Sequence, residues 1–100
     1  MKTTGEILRE KREMKGMLLR HISAQIDIDT AILSKIERGE RKATREQINK
    51  LAEILDLDKK SLLINYLSEK ILYEIQDEDL GIQALKVAEK SIKYRMANNK

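Results

Sequence analysis

Apolar residues recur at steps of three and four along nearly the whole chain, which is the spacing of one face of an α-helix. Five blocks of this kind predict helices over about 4–15, 18–25, 30–37, 45–55 and 59–75. A sixth block follows the acidic residues 77–79 and carries Ile82, Leu85, Ala88 and Ile92 on one face. The pattern therefore predicts a chain that is helical nearly throughout.

The residues at the ends of these blocks support the predicted boundaries. Thr44 with Gln47 forms a capping box before the fourth helix. Gly16 and Gly39 follow the first and third helices, where a residue with positive φ commonly ends a helix. Residues 77–79 break the fifth helix, and we expect them to cap the sixth. In the fifth helix, a stripe with a four-residue repeat is formed by Leu63, Leu67, Ile71 and Ile75.

Composition agrees with an all-α fold and narrows the class of protein. The 100 residues suffice for one compact domain, with or without a short appendage. Three Tyr with no Phe or Trp predict an aliphatic core, and the absence of Cys excludes disulfides and thiolate metal sites. No apolar run is long enough to span a membrane, and acidic residues among the first basic ones argue against a signal peptide. We therefore expect a cytoplasmic protein.

Charge is distributed unevenly between the two halves of the chain. Residues 1–50 hold 12 Lys or Arg against 8 Asp or Glu, whereas residues 51–100 hold 8 against 9. A basic first half suggests a module that binds a polyanion, and a neutral second half suggests a segment that binds protein.

Residues for catalysis or metal binding are scarce. The only His is His21, for which a structural or phosphate-facing role is favoured over that of a catalytic base. The acid pairs Asp27 with Asp29 and Asp56 with Asp58 coincide with helix ends, where capping explains them. Neither a Gly-rich phosphate loop nor a zinc or calcium motif is found in the sequence. The sequence therefore predicts no enzyme, cofactor, metal site or small-molecule ligand.

The second and third predicted helices are short and are joined by a tight turn, as in a helix-turn-helix. Residues 32–55, ILSKIERGERKATREQINKLAEIL, resemble the Cro and repressor class of DNA-binding domains, the Xre family. The resemblance covers about 5–63 and implies an all-α, five-helix Cro/repressor-like domain with an additional carboxyl-terminal helix. Leu19 departs from the family, which often has Gln there, and Asp27 replaces the usual turn glycine.

The resemblance also implies which residues contact DNA. The third helix would enter the major groove and present to the bases Thr30, Ala31, Ser34 and Lys35. Contacts with the DNA backbone or the minor groove would come from Arg38, Arg41, Lys42 and Arg45. The alternative interpretation is that these four cations only form a solvated loop. Arg12 and Glu37 match a pair that forms an internal salt bridge in several family members.

The second half of the chain predicts a partner surface. We expect a DNA-binding domain over 1–63 and a helical extension over 64–100 that forms a homodimer, with Leu85, Ala88 and Ile92 at the interface. Alternatively, the sixth helix folds back on its own core. A homodimer would bind an inverted-repeat operator in double-stranded DNA.

Two functions remain open from the sequence. The first is transcriptional regulation, since the chain also resembles restriction-modification controllers and small phage or plasmid repressors. The second is an antitoxin-like module that neutralises a partner through its carboxyl-terminal helices.

Overall fold

Six α-helices and no strand are found in residues 1–99, which the computed structural model describes. The helices are α1 (Thr4–Met14), α2 (Leu19–Ile26), α3 (Thr30–Glu37), α4 (Arg45–Ile54), α5 (Lys59–Ile75) and α6 (Gly81–Asn98). The all-α prediction is therefore confirmed. The boundaries predicted for the first five helices differ from these by at most one residue at either end.

Most of the predicted helix ends are also confirmed. Thr44 Oγ1 accepts a hydrogen bond from Gln47 N at 3.1 Å, and Gln47 Oε1 accepts one from Thr44 N at 2.9 Å. Gly16 and Gly39 have φ of 65° and 77°.

The prediction that residues 77–79 cap α6 is wrong. The residue at the N-cap is Leu80, and its side chain makes no capping hydrogen bond. The acidic residues lie one to three positions before the N-cap, whereas a capping side chain must stand at that position to reach the first free amides.

The backbone divides into two compact units, Met1–Glu69 and the residues from Lys70 onward, so the boundary lies inside α5. The first unit contains an aliphatic core to which α1 to α5 contribute. Its largest fully buried side chains are Leu8, Ile22, Leu33, Ile48, Leu51 and Leu55. This core holds the second and third helices in fixed positions.

The face of α5 that enters this core differs from its four-residue stripe. Leu62 and Tyr66 are buried, whereas Leu67 and Ile71 are exposed. A repeat of four residues drifts by about 40° per step around a helix with 3.6 residues per turn. The stripe therefore winds away from the core as α5 proceeds.

The second unit contains the end of α5 and the whole of α6. Gly81 is buried, and every other described residue of α6 is exposed. Across residues 1–99, no helix is long and apolar enough to cross a membrane.

Candidate nucleic-acid interface

A tight turn joins α2 to α3. Asp27 has φ 54° and ψ 48°, the left-handed conformation expected where it replaces a glycine. Ile28 N donates to Ser23 O at 3.2 Å, and Asp29 Oδ1 accepts from Ala31 N at 2.7 Å. The turn therefore ends α2 and begins α3 within three residues.

The two helices are fixed to each other by polar and apolar contacts. The hydroxyl oxygens of Ser23 and Thr30 lie 2.9 Å apart and share a hydrogen bond. Behind this bond, Ile22 on α2 and Leu33 on α3 are both fully buried. The orientation of α3 is therefore set by buried contacts rather than by its exposed residues.

The outward side of α3 carries the four predicted base-contacting residues. Thr30, Ala31 and Lys35 are exposed, and Ser34 is half-buried. Thr30 and Ser34 lie one turn apart, as do Ala31 and Lys35. Together they form a small surface of two hydroxyls, one methyl group and one cation.

The segment 38–44 between α3 and α4, here termed the basic loop, adjoins this surface. Its predicted cations Arg38, Arg41 and Lys42 are exposed, as is Arg45 in the first turn of α4. Arg38 Nε lies 2.8 Å from Glu40 Oε2, in a pair whose side chains are both more than half exposed. Such an exposed pair is weak and leaves Arg38 able to exchange its partner for a phosphate.

The basic loop is anchored from inside by Tyr66 of α5. The Tyr66 hydroxyl donates to the Ala43 carbonyl oxygen at 2.6 Å, and both residues are buried. Sequence reasoning missed this contact. A Tyr one turn after Leu62 was the available signal, because a buried tyrosine hydroxyl needs a partner.

Replacing Tyr66 with Phe should remove this anchor while retaining the buried ring. The Ala43 carbonyl loses a buried donor, so we expect the free energy of unfolding to fall by about 1–3 kcal/mol. Urea denaturation followed by circular dichroism measures this loss. Tyr94→Phe is the control, since Tyr94 is exposed on α6. Equal midpoints for Tyr66→Phe and the wild-type protein would contradict the anchor.

An ion pair joins α1 to the end of α3. Arg12 Nε lies 2.8 Å from Glu37 Oε2, and Arg12 Nη2 donates to Glu37 Oε1 at 3.0 Å. A third donor, Arg12 Nη1, reaches the Met17 carbonyl oxygen at 2.9 Å. The hydrogen bonds to Glu37 raise the pKa of Arg12 above its ordinary value. The pair that the resemblance implied is present, and it holds the residue immediately before the basic loop.

The start of α1 is held by two polar side chains of α5. Asn65 Nδ2 donates to Lys2 O at 3.2 Å and to Thr4 Oγ1 at 3.1 Å. The Glu69 carboxylate accepts a hydrogen bond from Thr4 N. Its negative charge also interacts favourably with the positive end of the α1 helix dipole. These contacts, which the sequence did not predict, fix α1 at the end opposite to Arg12.

The start of α2 differs from what the family resemblance would suggest. Leu19 is half-buried and packs against the core, so it offers no polar group to a phosphate. His21 Nδ1 accepts from Leu18 N at 3.1 Å, which satisfies one free amide at this helix end. In this structure His21 therefore has a capping role.

The predicted interface residues lie on α6 in the second unit. Leu85, Ala88 and Ile92 are all exposed within residues 1–99.

Comparison with known proteins bears on the first unit. Residues 5–68 match the model of a family described as a helix-turn-helix domain. No curated protein and no solved structure gives a match. The family match covers well over half of the chain. It includes α1 except for its first residue, the whole of α2, α3 and α4, and the part of α5 that anchors the basic loop. The chain therefore belongs to the helix-turn-helix domain family and carries a DNA-binding domain of that kind.

Proposed function

We propose that the protein is a transcriptional regulator of the Xre, Cro-like class that binds a specific inverted-repeat operator as a homodimer. The observation that carries the proposal is the outward surface of α3, where Thr30, Ala31 and Lys35 are exposed and Ser34 is half-buried, directly beside the exposed cations of the basic loop. Phosphates flank the base edges along the major groove. A protein surface that contacts the bases therefore needs cations at its edge to bind the phosphates.

Each residue on α3 has a chemistry suited to base edges. Lys35 can donate to guanine O6 and N7, and the Ala31 methyl group suits the thymine methyl. Ser34 can donate or accept. The Thr30 hydroxyl already shares a hydrogen bond with Ser23, and at least one of its two acceptor lone pairs remains for a base. This set supports discrimination at a few positions in each half-site.

The basic loop supplies the contribution that does not depend on sequence. Arg38, Arg41 and Lys42 bind phosphates on the flank of α3, and Arg45 approaches the minor groove. Tyr66 and Glu37 hold the two ends of the loop. The cations are thereby presented to DNA without the cost of ordering the loop on binding.

Dimerisation through α6 supplies the two-fold symmetry. Two recognition helices of a dimer contact half-sites about 34–36 Å apart, and linked half-sites bind far more tightly than one alone. Exposed apolar residues on α6, including Leu85 and Ile92, support this role.

Salt dependence tests the phosphate contacts. We expect Lys42→Ala to weaken binding to all DNA sequences and to reduce the slope of log K against log salt by about 1, because one fewer phosphate is neutralised. Fluorescence anisotropy across a range of salt concentrations, on DNA selected from a random pool, measures both effects.

Lys60→Ala is the matched control, since Lys60 is exposed on the first turn of α5 outside the proposed interface. An unchanged slope for Lys42→Ala would exclude Lys42 from the interface. Failure of the wild-type protein to select any DNA would contradict the proposed function itself.

A further inference from the structure

The described part of α6 is more exposed than a stable helix in water should be. The helix has 18 residues, and only Gly81 at its start is buried. In proteins, most helical stability comes from packing an amphipathic face rather than from helix propensity. Large apolar residues are exposed along it, namely Ile82, Leu85, Val87, Ile92, Tyr94 and Met96. A partner that covers one face would supply the missing stabilisation.

Four of these residues share a face. Ile82, Leu85, Ile92 and Met96 follow one another at steps of three, seven and four, which keeps them on one side of a helix with 3.6 residues per turn. Val87 and Tyr94 lie on the opposite side. The apolar face is narrow, like the seam of a helix pair.

Charge is separated along the axis of α6. Residues 77–79 before the helix are all acidic, whereas the later residues Lys86, Lys90, Lys93 and Arg95 are basic. Lys93 Nζ lies 3.9 Å from Glu89 Oε1 within the helix. Among residues 1–99, neither the acidic group 77–79 nor Lys86, Lys90 and Arg95 forms a salt bridge. The two ends of this segment therefore carry opposite charges that have no ion-pair partner within residues 1–99.

We propose that α6 pairs with α6 of a second copy of the chain in antiparallel orientation, which rests on the homodimer of the proposed function and specifies its geometry. An isologous interface must be complementary to itself. In an antiparallel pair, the acidic residues that precede each helix lie beside the basic end of the other helix, so the complementary contact occurs twice. A parallel pair would instead place acidic residues beside acidic ones and lysines beside lysines, which is destabilising.

One register satisfies both the apolar and the charged residues. With the two-fold axis level with Val87, Ile82 of one copy lies opposite Ile92 of the other, and Asp79 lies opposite Arg95. Ala88 then lies next to the axis, where a small side chain permits close approach of the two helices. In the same register, the two copies of Ile82 are separated by about 15 Å along the axis, at 1.5 Å per residue.

Single cysteines distinguish the orientations, because the chain has no cysteine of its own. Ile82→Cys and Ile92→Cys variants, one of them carrying a size tag, are mixed in the reduced state and oxidised with diamide. A disulfide needs Cα atoms within about 4.4–6.8 Å of each other. We expect the mixed 82–92 disulfide to dominate on a non-reducing gel, with little disulfide when either variant is oxidised alone. Val87→Cys, exposed on the opposite side of α6, measures random collisions.

The alternative outcomes overturn different claims. Strong disulfide formation by each variant alone, without the mixed product, would overturn the antiparallel orientation while leaving the homodimer intact. A mixed product no stronger than the Val87→Cys background would likewise overturn the pairing. Sedimentation of the wild-type chain as a monomer at tens of micromolar would overturn both the pairing and the homodimer. Selection of DNA from a random pool tests DNA reading separately from both.

Discussion

Replacing Gly5 with alanine is expected to lower the free energy of unfolding by at least about 3 kcal/mol, or to prevent folding of the first unit. A Cβ atom at this position would lie 2.4 Å from the carbonyl oxygen of Glu37 and 2.5 Å from that of Ile36. Both atoms belong to the backbone at the end of α3, so neither can rotate away. The clash would separate α1 from α3, and DNA binding would fail with the fold. Urea denaturation and circular dichroism measure the loss.

Gly16→Ala provides the matched control. Gly16 has φ +65°, and no atom lies within 4 Å of the position that its Cβ would occupy. Its substitution therefore carries only the backbone cost of a left-handed alanine, about 1–2 kcal/mol. A loss for Gly5→Ala no larger than that for Gly16→Ala would show that α1 and α3 do not approach so closely.

Glu37→Ala is the second substitution with a large expected effect. The side chains of Arg12 and Glu37 are 13% and 5% exposed, and two hydrogen bonds join them. Removing one partner leaves a charge largely buried without its counter-ion, which typically costs about 3–5 kcal/mol. Denaturation of Arg12→Met, of Glu37→Leu and of the double variant that carries both substitutions measures the coupling. The double variant should lose less stability than the two single losses combined.

Arg9→Ala is the control for this pair, because it removes the Arg9–Glu13 salt bridge, whose side chains are 60% and 54% exposed. An exposed pair contributes about 0–1 kcal/mol. If Glu37→Ala destabilised the protein no more than Arg9→Ala does, the pair with Arg12 would not fix the end of α3.

Local sequence signals predicted the helices well, because the interactions that begin and end a helix involve residues only a few positions apart. The capping box of Thr44 with Gln47 depends on residues three apart, and both hydrogen bonds form. The left-handed Asp27 follows from one residue and its place in a turn. The capping of α6 was the exception, because the helix begins after Leu80 rather than directly after the acidic residues.

Contacts between distant residues were not predictable from periodicity. The Tyr66 hydroxyl binds the carbonyl of a residue 23 positions earlier, and the Asn65 amide reaches Lys2 across 63 positions. A helical pattern indicates that a residue faces inward but not which loop it meets. For that reason the anchoring of the basic loop and of α1 emerged only from the structure.

The residues of the candidate site could likewise not be predicted from local sequence signals. The resemblance to the Cro and repressor class, rather than periodicity, indicated the Arg12–Glu37 pair, whose members are 25 positions apart. It also indicated the residues of α3 and the basic loop. The structure gives their exposure, while their contacts with DNA stay predictions.

Binding of wild-type protein and Lys35→Ala to the selected operator, and to every single base-pair substitution of it, tests most directly whether α3 reads DNA sequence. For the wild-type protein we expect one guanine in each half-site whose replacement costs about 1–3 kcal/mol, equivalent to roughly 5- to 150-fold in affinity. Lys35→Ala should lose the preference at that position and keep the preferences at all others. A Lys35→Ala variant that binds every sequence more weakly by the same factor, with all preferences intact, would contradict base reading by Lys35 and would show a phosphate contact instead.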